Sequence, residues 1–243
     1  MIAERLDARP WIDEQLEPLF ADAFPEFITA DHVAKLYIDR VREFFGAFNI
    51  MLLGDGDTPI ATGWAVPICW NGSPDDLPDG YTDTTRRAVE CHESTTPVDT
   101  LVICGGIVRR DMTGRGLAGQ LINALCDLAE PAGLARVLAP VRPTMKSKYP
   151  LAPIESYARW AREDGAPLDP WLRTHWRLGG KIIGTAPHSQ TMTGSVADWE
   201  SWCGMRFPDS DRYVIPRGLS TLSIDVDADM GTYIEPNVWV RHR

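Results

Sequence analysis

The sequence predicts an α/β domain of the mixed α+β kind, a central mixed sheet flanked by helices, and three observations carry the prediction. An almost purely apolar stretch, Thr100 to Val108, reads as a strand buried on both faces. After a glycine-rich turn comes an amphipathic helix with Leu117, Leu121, Ile122, Leu125 and Leu128 in one stripe. A second strand, Arg136 to Val141, follows it. Strand, helix and strand in that order make one parallel crossover.

Ahead of the crossover the pattern is helical over Trp11 to Ala23 and again over Asp31 to Phe45, where Val33, Leu36, Tyr37, Val41, Phe44 and Phe45 share a face. Asn49 to Leu53 and Ile60 to Ile68 flank Gly54-Asp55-Gly56-Asp57 as a β-hairpin. A loop rich in Pro, Asp and Gly, Asn71 to Gly80, leads to a helix from Thr84 to Glu93. Beyond the crossover the pattern predicts a helix over Ile154 to Glu163 and another over Trp171 to Leu178. The second is punctuated by Asp169 as cap, Pro170 in the first turn and Gly179 past the end. Lys181 to Thr185 reads as a strand and Val196 to Cys203 as a helix. Tyr213 to Ile215, Ser220 to Ile224 and Val238 to Arg241 read as closing strands. For 243 residues this is one domain, with a core over 31–187 and a C-terminal extension, 188–243, that completes the sheet.

Composition excludes several functions. With 24 Lys+Arg against 34 Asp+Glu the net charge is −10, which disfavours a nucleic-acid partner and favours a cationic or amine one. The start, Met1-Ile2-Ala3-Glu4-Arg5-Leu6-Asp7, lacks the apolar core of a secretory signal. The longest apolar run falls far short of the roughly 20 residues that span a bilayer, so the expectation is a cytoplasmic protein with no membrane partner. Five scattered cysteines (Cys69, Cys91, Cys104, Cys126, Cys203) with no C-x-x-C pair indicate neither a disulfide framework nor a zinc site, and most read as core thiols.

The most informative segment is Val108-Arg109-Arg110-Asp111-Met112-Thr113-Gly114-Arg115-Gly116-Leu117-Ala118-Gly119. Gly114 to Gly119 satisfies G-x-G-x-x-G. A dinucleotide fold, however, needs its glycines tight against the strand end and an acidic residue about 20 positions on. Here five residues, four of them polar, intervene, and the next strand ends Ala139-Pro140-Val141-Arg142. No Lys-Ser or Lys-Thr follows, which excludes a phosphate-loop nucleotidase. What remains is an anion cradle, consecutive amides at a helix start with Arg109, Arg110 and Arg115 close by and suited to a diphosphate, or else a plain turn of Gly114 and Gly116 with solvated arginines.

In these residues and in its order of elements the chain resembles the GNAT acyltransferase superfamily over roughly Asn49 to Thr185. The signature R/Q-x-x-G-x-G/A is met by Thr113-Gly114-Arg115-Gly116-Leu117-Ala118 except at Thr113, where a phosphate contact is lost. The resemblance implies an acyl-CoA-dependent N-acyltransferase that moves acetyl from acetyl-CoA to a small-molecule or peptidyl amine by direct attack on the thioester. The coenzyme A it implies would be held at Ile107, Val108, Arg109, Gly114, Arg115, Gly116, Leu117, Ala118 and Gly119. Its pantetheine arm would pair with the splayed end of the 100–108 strand. Amides near Gly105 to Ile107 would serve the oxyanion, two glycines permitting close approach.

For the acid that protonates the leaving thiolate, the resemblance points to the Tyr of Y-x-x-x-G-F. His175-Trp176-Arg177-Leu178-Gly179-Gly180 puts His175 there, either as an acid expected to titrate near neutrality or as an aromatic packed on Trp171 and Trp176, with Tyr157 as rival acid. For a base it points to the start of the central strand, Asp99, with Glu90, His92 and Glu93 upstream, though each of these also reads as a solvated charge, the base then being recruited through water. Other readings stay open. The chain could be a non-catalytic acyl-CoA or acyl-carrier binding module that retains the cradle, or the same fold could carry another acyl reaction, such as transfer to a hydroxyl or thioester decarboxylation. Six of nine tryptophans follow residue 159 and read as core packing or as an aromatic acceptor pocket near His175. Lys146 and Lys148 beside Tyr149 read as a solvated loop or as contacts to adenosine phosphate or carrier phosphopantetheine. Exposed terminal strands leave pairing into a homodimer open.

Overall fold

The computed structural model describes residues 2–8, 13–20 and 23–243. The chain opens on β1 (Ile2–Arg5), which the pattern did not announce, and α1 (Asp13–Phe20). Of the helix expected over Trp11 to Ala23, Trp11, Ile12, Ala21 and Asp22 lie outside the described residues. Then follow α2 (His32–Phe44), the hairpin β2 (Asn49–Leu53) and β3 (Pro59–Ile68), and α3 (Tyr81–Glu93). The crossover is β4 (Thr100–Val108), α4 (Leu117–Asp127) and β5 (Arg136–Val141), as its apolar pattern predicts. The remainder is α5 (Ile154–Tyr157), α6 (Pro170–Arg177), β6 (Lys181–Gly194), α7 (Val196–Cys203), β7 (Arg212–Val214), β8 (Thr221–Asp225) and β9 (Met230–Arg241).

Local chemistry sets these boundaries. Asp31 accepts the Ala34 N–H at the start of α2, and Asp169 accepts those of Trp171 and Leu172 at the start of α6. Gly179, at φ +86, turns the chain past α6 in the left-handed conformation a glycine takes freely. The expected helix over Ile154 to Glu163 ends at Tyr157. The chain then folds back, with Arg162 N–H bonded to the Ala166 carbonyl and Leu168 N–H to that of Trp160. This turn lets Tyr157 and Trp160 reach the core under α4. β6 and β9 run far beyond the expected Lys181–Thr185 and Val238–Arg241, because their polar residues pair with each other across the ladder.

Among the described residues the strands form one sheet in the order β1-β2-β3-β4-β5-β9-β8-β7, with β6 along β9. β4 and β5 are parallel, and the other pairs are antiparallel. One face packs on α4, α5 and α6, the other on α2 and α3. A third cluster, with Phe27, Trp199, Phe207 and Tyr233, fills the far end under α7.

Two features of this sheet make a site. β4 and β5 are bonded only from Thr100 to Val102 against Arg136 to Leu138, after which they part. β9 holds the other edge of β5 from Leu138 to Val141. The edge of β4 beyond Val102 therefore offers unpaired backbone groups to a slot. Against β3, Trp64 faces Gly105 and Ala65 faces Ile103, so Cys104 is the extra residue of a bulge beside that slot.

Candidate active site

The glycine turn lies at the end of β4. Arg109 N–H bonds the Ile60 carbonyl and a single 3-10 turn, Arg110–Met112, follows. Gly114 and Gly116 then take φ +77 and +76, and a Cβ at either would meet nothing within 4 Å. The glycines are thus needed for backbone conformation, and the space beside them is open. Gly116 caps α4 without a side chain, leaving the first-turn amides of Leu117, Ala118 and Gly119 for a ligand.

The nearby side chains divide their work. Arg109 is clamped on Asp111, Nε at 2.6 Å and Nη2 at 3.0 Å, which offsets its charge. The Thr113 hydroxyl donates to the Arg110 carbonyl at 2.9 Å and so serves the turn. Arg115 makes no ion pair or hydrogen bond with a described residue. The Ile107 side chain is buried, so of this residue only the backbone is available to a ligand.

On the opposite face, a cavity of about 400 Å³ lies between the sheet and the segment leading into α2. Its floor includes Trp64, Cys104, Pro140, Arg142 and Asn237, and its roof includes Ile28, Asp31, Ala34 and Ile38. Cys104 and Pro140 stand on the two strands that part, so the slot and the cavity meet. Tyr81 also lines it. Burial, reinforced by nearby Cys104 and Asp31, raises its phenol above the usual range, so it keeps its proton at neutral pH. Burial likewise pushes the Cys104 thiol up to about 12, which removes it as a nucleophile.

Of the two glycines expected to admit a ligand, Gly105 has another role. A Cβ there would lie 2.2 Å from Cζ2 of Trp64, so its missing side chain is filled by an indole. Gly106 is exposed, with Leu121 3.3 Å from where its Cβ would stand.

The expected acid and base fall elsewhere. Asp99 is at the closed end of β4, where it ion-pairs with Arg136 at 2.5 Å and accepts from Trp70 N–H and the Thr100 hydroxyl. Burial would raise its pKa, but these bonds and the guanidinium hold it below the usual carboxylate range. It locks the strand start and is not brought to the slot. His175 is 2% exposed, Nδ1 at 2.9 Å from His242 Nε2, with its own Nε2 buried and without a partner among the described residues. Burial first, then His242, pushes it down to about 3, which corrects the expectation that it titrates near neutrality. Tyr157 is buried with its hydroxyl donating to Asp169, and burial and that carboxylate raise its pKa.

Other expectations are also corrected. Lys146 is 1% exposed, Nζ donating to the Leu219 carbonyl at 2.6 Å and that of Tyr149 at 2.8 Å, so it is a buried pin. The core-thiol reading holds for Cys126, which is buried, and for Cys104 and Cys203, half-buried against core clusters, but not for Cys69, which is exposed. The tryptophan in the cavity is Trp64, and none of the six after residue 159 lines it. Sequence reasoning missed Asp31, Tyr81, Arg142 and Asn237 as site residues. They come from four separate elements, and the one local signal was Asp31 read as the start of a helix.

Among the described residues no cluster of three His, Cys, Asp or Glu side chains is arranged to hold a metal ion. No described helix is long and apolar enough to cross a membrane.

No family model matches the chain. It is 30% identical to the arginine N-acetyltransferase avaD of Aspergillus versicolor over a 266-residue alignment, which covers 97% of this chain and 91% of that protein. Among solved structures it superposes on the loading GNATL domain of CurA from Lyngbya majuscula with a TM-score of 0.60 at 16% identity, covering 94% of this chain and 91% of that one. The GphF GNAT-like decarboxylase in complex with isobutyryl-CoA gives a TM-score of 0.56 at 16% identity, covering 96% and 97%. At such identity these two likenesses concern the fold.

Proposed function

The chain belongs to the GNAT superfamily and is an acyl-CoA-dependent N-acyltransferase, and from that premise we propose how its residues divide the reaction and which acceptor it takes. The amides of Leu117, Ala118 and Gly119, with Arg115, hold the pyrophosphate of coenzyme A. The free edge of β4 from Ile103 to Val108 pairs with the pantetheine arm as a strand would. This lays the thioester in the slot between β4 and β5, with its carbonyl toward the backbone amides around the Cys104 bulge.

The acceptor amine enters from the cavity and attacks the acetyl carbon. A C–N bond forms, the C–S bond breaks, the nitrogen gives up its extra proton to water, and the departing thiolate takes a proton. Tyr81, which lines the cavity and keeps its proton, is the donor the geometry favours over His175 and Tyr157. The observation that carries this reading is that the cavity opens on Cys104 and Pro140, one on each side of the slot. The relative's activity makes arginine the first acceptor to try.

The test is release of coenzyme A thiol from acetyl-CoA on adding arginine, with mass spectrometry of the product. N-acetylated arginine supports the assignment. Tight acetyl-CoA binding without thiol release for arginine or any other amine would favour an acyl-CoA binding module instead.

A further inference from the structure

The acceptor cavity carries two opposite charges held in different ways, and we propose that they select an α-amino acid with a cationic side chain, its carboxylate on Arg142 and its side-chain cation on Asp31. This rests on the reading of the cavity as the acceptor site.

Arg142 follows Pro140 by two residues at the end of β5, so both side chains face the cavity. Its guanidinium is fixed from behind, Nε on the buried carboxylate of Glu235 and Nη2 on the Arg217 carbonyl at 2.9 Å. Tyr233 donates to the same carboxylate and, through its hydroxyl, accepts Leu219 N–H. Nη1 has no partner among the described residues. A guanidinium oriented in advance with free N–H groups is suited to a carboxylate. The α-amine, one carbon from that carboxylate, would then stand beside Pro140 at the slot.

Asp31 is 2% exposed. It accepts Ala34 N–H at 2.9 Å and the Thr82 hydroxyl, but no cation among the described residues pairs with it. The start of α2 offsets part of its charge, and the remaining lone pairs border a mainly apolar cavity. A ligand cation is the partner this carboxylate lacks. Lys35 and Arg42 also line the cavity, but both are solvent-facing, and Arg42, whose side chain is 73% exposed, leans on Asp39. They sit at its mouth. The apolar wall between the two charged ends, with Ile28, Ala34 and Trp64, suits a methylene chain.

The experiment is calorimetric titration of the coenzyme A complex with L-arginine, with agmatine, which lacks the carboxylate, and with L-citrulline, which replaces the guanidinium by a neutral urea. Arg142→Lys keeps a positive charge against Glu235 and loses the fork, while Asp31→Asn keeps a good helix cap and loses the charge. Thermal melts report whether each variant is folded. The expected result is arginine binding at least about 10-fold tighter than either analogue. Arg142→Lys should remove most of the preference for arginine over agmatine, and Asp31→Asn most of that over citrulline. The proposal is overturned if either analogue binds as well as arginine, if none of the three binds, or if each variant weakens all three alike. Thiol release is measured separately, so selective binding without turnover would defeat the transferase assignment and leave this one standing.

Discussion

Gly105 presents its bare Cα to the indole of Trp64, so close that a Cβ would lie 2.2 Å from Cζ2. The contact bridges β3 and β4 where the bulge begins, and it ties the shape of the slot to a ring that also lines the acceptor cavity. Gly105→Ala should therefore cost about 3 kcal/mol of stability. Adding Trp64→Leu should recover part of it, giving a coupling of about 1 kcal/mol in a double-mutant cycle by urea unfolding. Additive losses would mean that the two residues do not act as a pair.

Arg115 is held by no carboxylate among the described residues, whereas Arg109 is bound to Asp111. Arg115→Glu should weaken acetyl-CoA binding by more than about 10-fold and remove its thermal shift. Arg109→Ala should weaken it by less, because its charge is already offset. Equal losses would assign the phosphate contact to both.

The proton donor separates three residues in one experiment. Tyr81→Phe should lower kcat at least about 10-fold, with the KM for acetyl-CoA little changed. His175→Phe and Tyr157→Phe should act chiefly on stability. A loss of kcat confined to His175→Phe would return the role to the histidine.

The two buried imidazoles set a pH dependence. His175 is pushed down to about 3 and His242 to about 4, both chiefly by burial. Unfolded, each titrates near 6.5, so below that pH the unfolded chain binds protons that the folded one refuses. Their contribution is intact above about pH 6.5 and is lost as the pH falls through 5 toward 4, by about 2 kcal/mol for each ring at pH 5. Melting temperatures between pH 7 and 5 should show the slope, and His175→Phe should flatten it. An unchanged slope in that variant would assign the acid sensitivity to other groups.

Lys146 closes the loop after β5 onto Leu219. Lys146→Met keeps the stem but strips the buried Leu219 carbonyl and the part-buried Tyr149 carbonyl of their donor, at a cost of about 2 kcal/mol by urea unfolding. A loss below about 0.5 kcal/mol would show that water replaces the ammonium.

The crossover and the glycine turn were legible because their signals are local: an apolar run, a stripe at helical spacing, and glycines at fixed offsets. Asp169, Pro170 and Gly179 marked α6 for the same reason. The polar reaches of β6 and β9 were not legible, since Gln190 and Glu235 read as loop residues until they are seen facing each other across the ladder. Lys146 misled in the same way, because its burial depends on a carbonyl 73 positions away. Of the proposed site, the glycine turn could be read from one segment. The acceptor cavity could not, because Asp31, Tyr81, Arg142 and Asn237 come together only through the sheet.

β5 is one wall of the slot, yet the strand that secures its outer edge, β9, lies about 100 residues further along the chain. As the protein emerges from the ribosome, β4 and α4 can form early, but β5 waits with one edge open until Val238 to Arg241 arrive. The interval is on the order of 10 seconds at typical synthesis rates. The nascent chain thus carries one wall of the slot as a half-paired apolar strand through that time. Lesions near the last strand should appear first as aggregation during expression, before any defect in the finished enzyme.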